Sequence, residues 1–146
     1  MPYEINTEIE IGAPPSRVWE VLSDFSHYPD WNPFILAVEG VVQQGAKIHY
    51  RFEFPRGIRI WTPAEILTFE PDRELRWAAH FLSPKLFNGD HHFVVEPLNE
   101  TRSMFYHGEV FTGLLLPLAL PLLRKDGPQT YQALNVALKQ RVEALL

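Results

Sequence analysis

Cysteine is absent from the 146 residues, which excludes disulfides, thiolate nucleophiles and cysteine-ligated zinc. Positive charge is in short supply as well. Thirteen Lys and Arg face 18 Asp and Glu, for a formal charge of −5, and the basic residues are scattered, which argues against nucleic acid as a partner. The longest apolar run, GLLLPLALPLL at 113–123, is too short to span a bilayer as a helix and holds two prolines. Stable membrane insertion is therefore not expected. Glycines stand singly rather than in a phosphate-cradling loop, and no serine occupies a nucleophile elbow. The N-terminal MPYEINTEIEI alternates apolar and acidic residues, the reverse of a cationic, continuously apolar leader, so the expected location is cytoplasmic.

What is present is a large apolar fraction, 46%, enough for one core in a single domain over 1–146. Residues 3–11 place Ile5, Ile9 and Ile11 on one parity and Glu4, Glu8 and Glu10 on the other, as a half-buried strand requires. Val18, Val21, Leu22 and Phe25 then recur at helical spacing, which predicts a short helix over roughly 14–24. Pro29 and Pro33 end it. Strands follow at 34–42, 47–54, 58–69, 75–81, 90–96 and 102–111, with turns at Gln43-Gln44-Gly45, Pro55-Arg56-Gly57 and Pro71-Asp72. From Pro128, the residues Tyr131, Leu134, Leu138, Val142 and Leu145 step by three and four along a long amphipathic helix.

This order predicts an α+β domain: seven antiparallel strands with one dominant helix over one face. The inward positions carry many rings, among them Tyr50, Phe52, Phe54, Trp77, Phe81, Phe93, Phe105 and Phe111. A curved sheet could arrange them around a cavity, or they could fill a solid aromatic core. The residues alone leave both open.

Three separated blocks, VWEVLSDFSHYPDWNPF, PDRELRW and GDHHFVVEPLNETRSMFYHGEVFTGLL, resemble the START-like (SRPBCC) superfamily, which includes polyketide cyclases and the birch-pollen allergen. The likeness covers essentially the whole chain and is nearest to small bacterial polyketide cyclase/dehydrase-like or uncharacterised members. It implies a helix-grip fold, in which a curved seven-stranded sheet wraps the C-terminal helix, with a short helical region between strands one and two. It also implies an apolar pocket for lipids, polyketides or other hydrophobic molecules. No cofactor is implied. Carriers, sensors, cyclases and chaperone cofactors share this fold, so it does not choose among them.

In DFSHYPDWNPF (24–34) the family likeness places the segment near a pocket mouth, making Trp31 and Phe34 candidate ligand contacts, with ordinary packing as the alternative. If the last hairpin is centred on Asn99, partners sum to 198: Phe93 faces Phe105, Val95 faces Ser103 and His91 faces His107. Glu109 then joins the two histidines on the inner face. The trio could be a satisfied core network, an anchor for a ligand's polar end, or an acid/base pair for catalysis. A metal site is chemically conceivable but nothing demands an ion. His91 and His92, adjacent on a strand, point to opposite faces and are no metal motif.

The expected ligand-binding set is therefore Trp31, Phe34, Tyr50, Phe52, Trp77, Phe81, His91, Phe93, Phe105, His107 and Glu109, with His91, His107 and Glu109 as candidate catalytic groups. The expected partner is a hydrophobic small molecule held by a carrier or sensor. A cyclase or dehydratase acting on polyketide-like or aromatic substrates is the alternative, and a protein-interaction or regulatory module a second. GLLLPLALPLL has three readings: a buried connection into the last helix, a movable lid, or a point of transient membrane contact through 113–125. Its prolines argue against one uninterrupted helix.

Overall fold

The computed structural model describes every residue from Met1 to Leu146. Strand β1 (Tyr3–Ile11) leads into helix α1 (Pro15–Leu22), a 3-10 turn (Phe25–His27) and a one-turn helix α2 (Tyr28–Trp31). Six strands follow: β2 (Ile35–Glu39), β3 (Lys47–Phe54), β4 (Ile58–Glu70), β5 (Glu74–His80), β6 (Asn88–Asn99) and β7 (Arg102–Thr112). Helix α3 (Leu116–Ala144) closes the chain. The strands form one antiparallel sheet in the order β1-β7-β6-β5-β4-β3-β2. It curls around α3, the helix-grip arrangement that the resemblance implied. No helix is long and apolar enough to cross a membrane.

Three expectations need correction. β2 ends at Glu39 rather than Val42, because its partner β3 begins at Lys47 and the ladder stops at Glu39 opposite His49. The last helix begins at Leu116, not Pro128, and continues through Pro121 and Pro128. Pro117 sits in the first turn, where no N–H bond is lost. All three prolines are exposed, and spacings of four and eleven residues put them on one helix face. Each interior proline unpairs the carbonyl four residues earlier, at Pro117 and Arg124, both also exposed. On that exposed face water can reach the freed carbonyls, which lowers the ~3 kcal/mol cost of a proline in a helix.

The third correction is the β6–β7 register. His91 faces Glu109, Phe93 faces His107 and Val95 faces Phe105, a shift of two residues from the expected pairing. The ladder is irregular between Pro97 and Asn99, and Asn99 Oδ1 accepts from the Thr101 N–H and hydroxyl at 2.9 and 3.1 Å. That side-chain turn makes a tight reversal at Glu100-Thr101 where a loop centred on Asn99 was expected. An even shift preserves which face each residue occupies, so His91, His107 and Glu109 still converge.

The core splits the concave side into two ends. At one end Phe25, Tyr28, Trp77, Phe93 and Phe105 are all 4% exposed or less, and they interlock through ring pairs such as Phe25–Trp77 and Trp77–Phe93. At the other end α3 lies chiefly against β1, and next against α1 and β7. Gly127 permits the close crossing of β1, since a Cβ there would strike Ile5. The helix is thereby held toward one side of the sheet, and a gap remains between its first turns and β3 to β5.

Candidate ligand-binding site

The gap is a cavity of about 640 Å³. One wall is Tyr50, Phe52 and Phe54 of β3 with Ile58, Ile60 and Trp61 of β4. The facing wall is Leu118, Ala119, Leu122 and Leu123 of α3. Seventeen of its 22 lining residues are hydrophobic, so an occupant would be desolvated mainly against carbon. Ile60, Trp61, Phe81 and Leu118 are 46–81% exposed and form an apolar rim at the mouth.

The inner end is polar. Glu109, Gly89 and Tyr131 line the cavity there. Glu109 Oε1 accepts from the Tyr131 hydroxyl and lies 3.0 Å from His91 Nδ1. His91 Nε2 is 2.7 Å from His107 Nε2. His107 Nδ1 is 2.9 Å from Asn135 Oδ1, Asn135 Nδ2 donates to Thr7 Oγ1 at 2.8 Å, and the Thr7 hydroxyl donates to the His107 carbonyl at 2.6 Å. The chain of contacts thus closes on the strand where it began.

Two local features hold this end in place. Tyr131 and Asn135, four residues apart, share the inward face of α3. Asn32 Oδ1 accepts the N–H groups of Phe34 and Ile35 at 3.0 and 2.8 Å, fixing the entry to β2 and setting Phe34 against Tyr131, ring centroids 4.8 Å apart. Burial, with the charge of neighbouring His91 second, holds His107 well below the ordinary histidine range. Burial, with the Glu109 charge second, raises the Tyr131 phenol well above its ordinary value. His107 is therefore neutral and Tyr131 keeps its proton.

The family model for "Polyketide cyclase / dehydrase and lipid transport" proteins matches residues 2–143. The chain belongs to this family. No curated protein matches it. Among solved structures it is similar to the Zhui aromatase/cyclase from Streptomyces sp. R1128, with TM-score 0.77, 18% identity, and 98% of this chain and 94% of that one covered. It is also similar to a START superfamily protein from Mycobacterium smegmatis, with TM-score 0.76, 19% identity, and 98% and 99% covered. A third likeness is to norcoclaurine synthase from Thalictrum flavum, solved with dopamine and hydroxybenzaldehyde: TM-score 0.71, 16% identity, 99% and 88% covered. At these identities the structural likeness speaks for the fold. Family membership carries the further property of hydrophobic-ligand binding.

Within this family member, the residues expected to meet a ligand divide into two sets. Phe34, Tyr50, Phe52, Phe81 and Glu109 line the cavity. Phe81 does so from the rim rather than from an inward strand position, because β5 stops at His80 and Leu82, just after Phe81, turns the chain with φ 63°. Trp31, Trp77, His91, Phe93, Phe105 and His107 do not line it. Trp31 packs edge-on to the buried Tyr28, whose hydroxyl donates to the Leu22 carbonyl. Trp77, Phe93 and Phe105 belong to the packed end. His91 and His107 lie behind Phe34 and Tyr131, whose rings pack against them with centroids 4.8–6.3 Å away.

Sequence reasoning missed Tyr131 and Asn135 as partners of the trio, and Gly89 and the α3 leucines as wall. The signal for Asn135 was present: a polar residue inside an apolar stripe, four residues beyond Tyr131.

Proposed function

We propose that this protein holds a hydrophobic small molecule, a lipid, polyketide or aromatic compound, as a carrier or sensor, with the apolar body between α3 and β3–β4 and one polar group at Glu109 and Tyr131. The observation that carries this reading is a cavity of about 640 Å³ with a mostly apolar wall and a carboxylate and phenol at its inner end. That volume lies in the range of pockets that enclose drug-sized molecules. The apolar rim of Ile60, Trp61, Phe81 and Leu118 suits the entry of an oily guest.

Native mass spectrometry of freshly purified protein tests the proposal by the mass of a retained guest. A direct complement is titration with an anilinonaphthalene sulfonate dye. Wild type should bind and brighten it, and Ala119→Trp, which fills the space beside α3, should not. Equal brightening by both proteins would locate binding elsewhere and sink the proposal.

A second reading, a cyclase or dehydratase acting on a polyketide-like or aromatic substrate, is favoured by one feature. The hydrogen-bonded line from His107 through His91 ends on a carboxylate at the cavity wall, where a proton could be exchanged with a guest. Turnover of a candidate substrate at an unchanged rate by Glu109→Gln would eliminate an enzyme built on this line.

A further inference from the structure

The hydrogen-bond donors and acceptors behind the cavity can be assigned one after another. The His107 carbonyl can only accept, so the Thr7 hydroxyl spends its proton there. Thr7 Oγ1 must then accept from Asn135 Nδ2, which turns Asn135 Oδ1 toward His107 Nδ1. His107 Nδ1 therefore carries a hydrogen and, in the neutral ring, Nε2 carries a lone pair. At 2.7 Å His91 Nε2 has to donate to it. One proton must then lie between His91 Nδ1 and Glu109 Oε1, because a bare nitrogen facing a bare carboxylate oxygen at 3.0 Å would repel it.

That proton has two resting places, on His91 Nδ1 or on Glu109 Oε1. In both, Glu109 Oε2 has none. Oε2 has no hydrogen-bond partner within the chain and lies above Gly89, itself on the cavity wall, where a Cβ would collide with it. The Tyr131 proton is already given to Oε1. The other polar lining side chains are Tyr50, Thr62 and His80, and none of them is hydrogen-bonded to Oε2, which is left as an open acceptor on the wall.

We infer that the natural occupant is an apolar molecule whose buried end carries a hydrogen-bond-donating hydroxyl, an alcohol or a phenol, received by Glu109 Oε2, and that guests ending in a carboxylate or an ether are discriminated against. This rests on the cavity-binding reading above and adds the chemistry of the guest's head group. An acceptor-only guest leaves Oε2 desolvated and unpaired, which disfavours it.

Three probes of nearly equal size test it by isothermal titration or displacement of the dye: 2-naphthol, 2-methoxynaphthalene and 2-naphthoate. Wild type should bind 2-naphthol at least about tenfold more tightly than 2-methoxynaphthalene, whose ether leaves a buried acceptor unpaired, and 2-naphthoate most weakly. In Glu109→Leu the acceptor is removed, and the affinities for 2-naphthol and 2-methoxynaphthalene should level. The wild-type ratio is decisive even if the variant folds poorly. Equal affinities of wild type for 2-naphthol and 2-methoxynaphthalene, or tighter binding of 2-naphthoate, overturn the inference while leaving the cavity reading intact. Failure of all three to bind, with the dye also unbound, overturns both.

Discussion

The two ends of the concave face are built from the same kind of residue, yet one is solid and the other hollow. Phe25, Tyr28, Trp77, Phe93 and Phe105 interlock beneath α1 and α2 with almost no exposure. Phe34, Tyr50, Phe52 and Phe54 pack against one another just as closely, with Phe34–Phe54 and Phe52–Phe54 centroids 5.7 and 5.4 Å apart. The far side of that second group, however, meets empty space instead of a helix. Aromatic richness is therefore no guide to filling. What decides is whether a second element reaches the ring faces, and α3, drawn across β1 at Gly127, does not reach β3 and β4. The polar row lies at the boundary, with Tyr131 and Glu109 facing the cavity and His91 and His107 sealed behind.

If this division is right, the largest effect belongs to the packed end. Trp77→Ala should lower unfolding free energy in urea by about 3–5 kcal/mol, whereas Phe52→Ala, which borders a void already there, should cost clearly less. Equal losses would erase the distinction. At the boundary, Gly89→Ala forces Glu109 Oε2 aside and disturbs both bonds to Oε1. A loss of about 1–3 kcal/mol is expected, together with loss of any preference for 2-naphthol in the same titrations.

Acid should act on the boundary next. His107 is held neutral in the fold, while the unfolded chain protonates it near its ordinary value of about 6.5. The unfolded state then binds more protons below that pH, so this contribution is fully present above about 6.5 and is lost as the pH falls. His92, lowered chiefly by burial, acts in the same direction. Urea midpoints should drop between pH 7 and 5 at up to about 1.4 kcal/mol per pH unit for each such histidine; a flat profile would contradict a neutral His107. Tyr131→Phe, which deletes one donor to Glu109, should cost about 1 kcal/mol. Smallest of all, Leu118→Ser at the rim should change stability by less than about 0.5 kcal/mol yet weaken dye binding measurably.

How much of this could be read from the chain differs between the two ends as well. Side-chain parity on β1, β3, β6 and β7 was legible because it has a period of two, and it survived the two-residue error in the last hairpin. That is why His91, His107 and Glu109 were brought together on paper despite the wrong partners. The error itself came from Asn99, whose side chain makes a local turn that strand periodicity does not reveal. The prolines of α3 misled for a related reason. A helix-breaking residue was judged by type, whereas its cost depends on whether water can reach the carbonyl it frees, and both freed carbonyls belong to exposed residues.

The succession of strands, the α+β class and the inward trio follow from periodicity within single elements and one hairpin, and the sequence carries them unaided. The cavity does not have that origin. It depends on the offset between α3 and β4, elements more than forty residues apart in the chain, and on one close crossing at Gly127. Which aromatic rings meet solvent space and which are sealed is settled by that offset, because a ring face is filled or left bare by what stands opposite it, whatever precedes it in sequence.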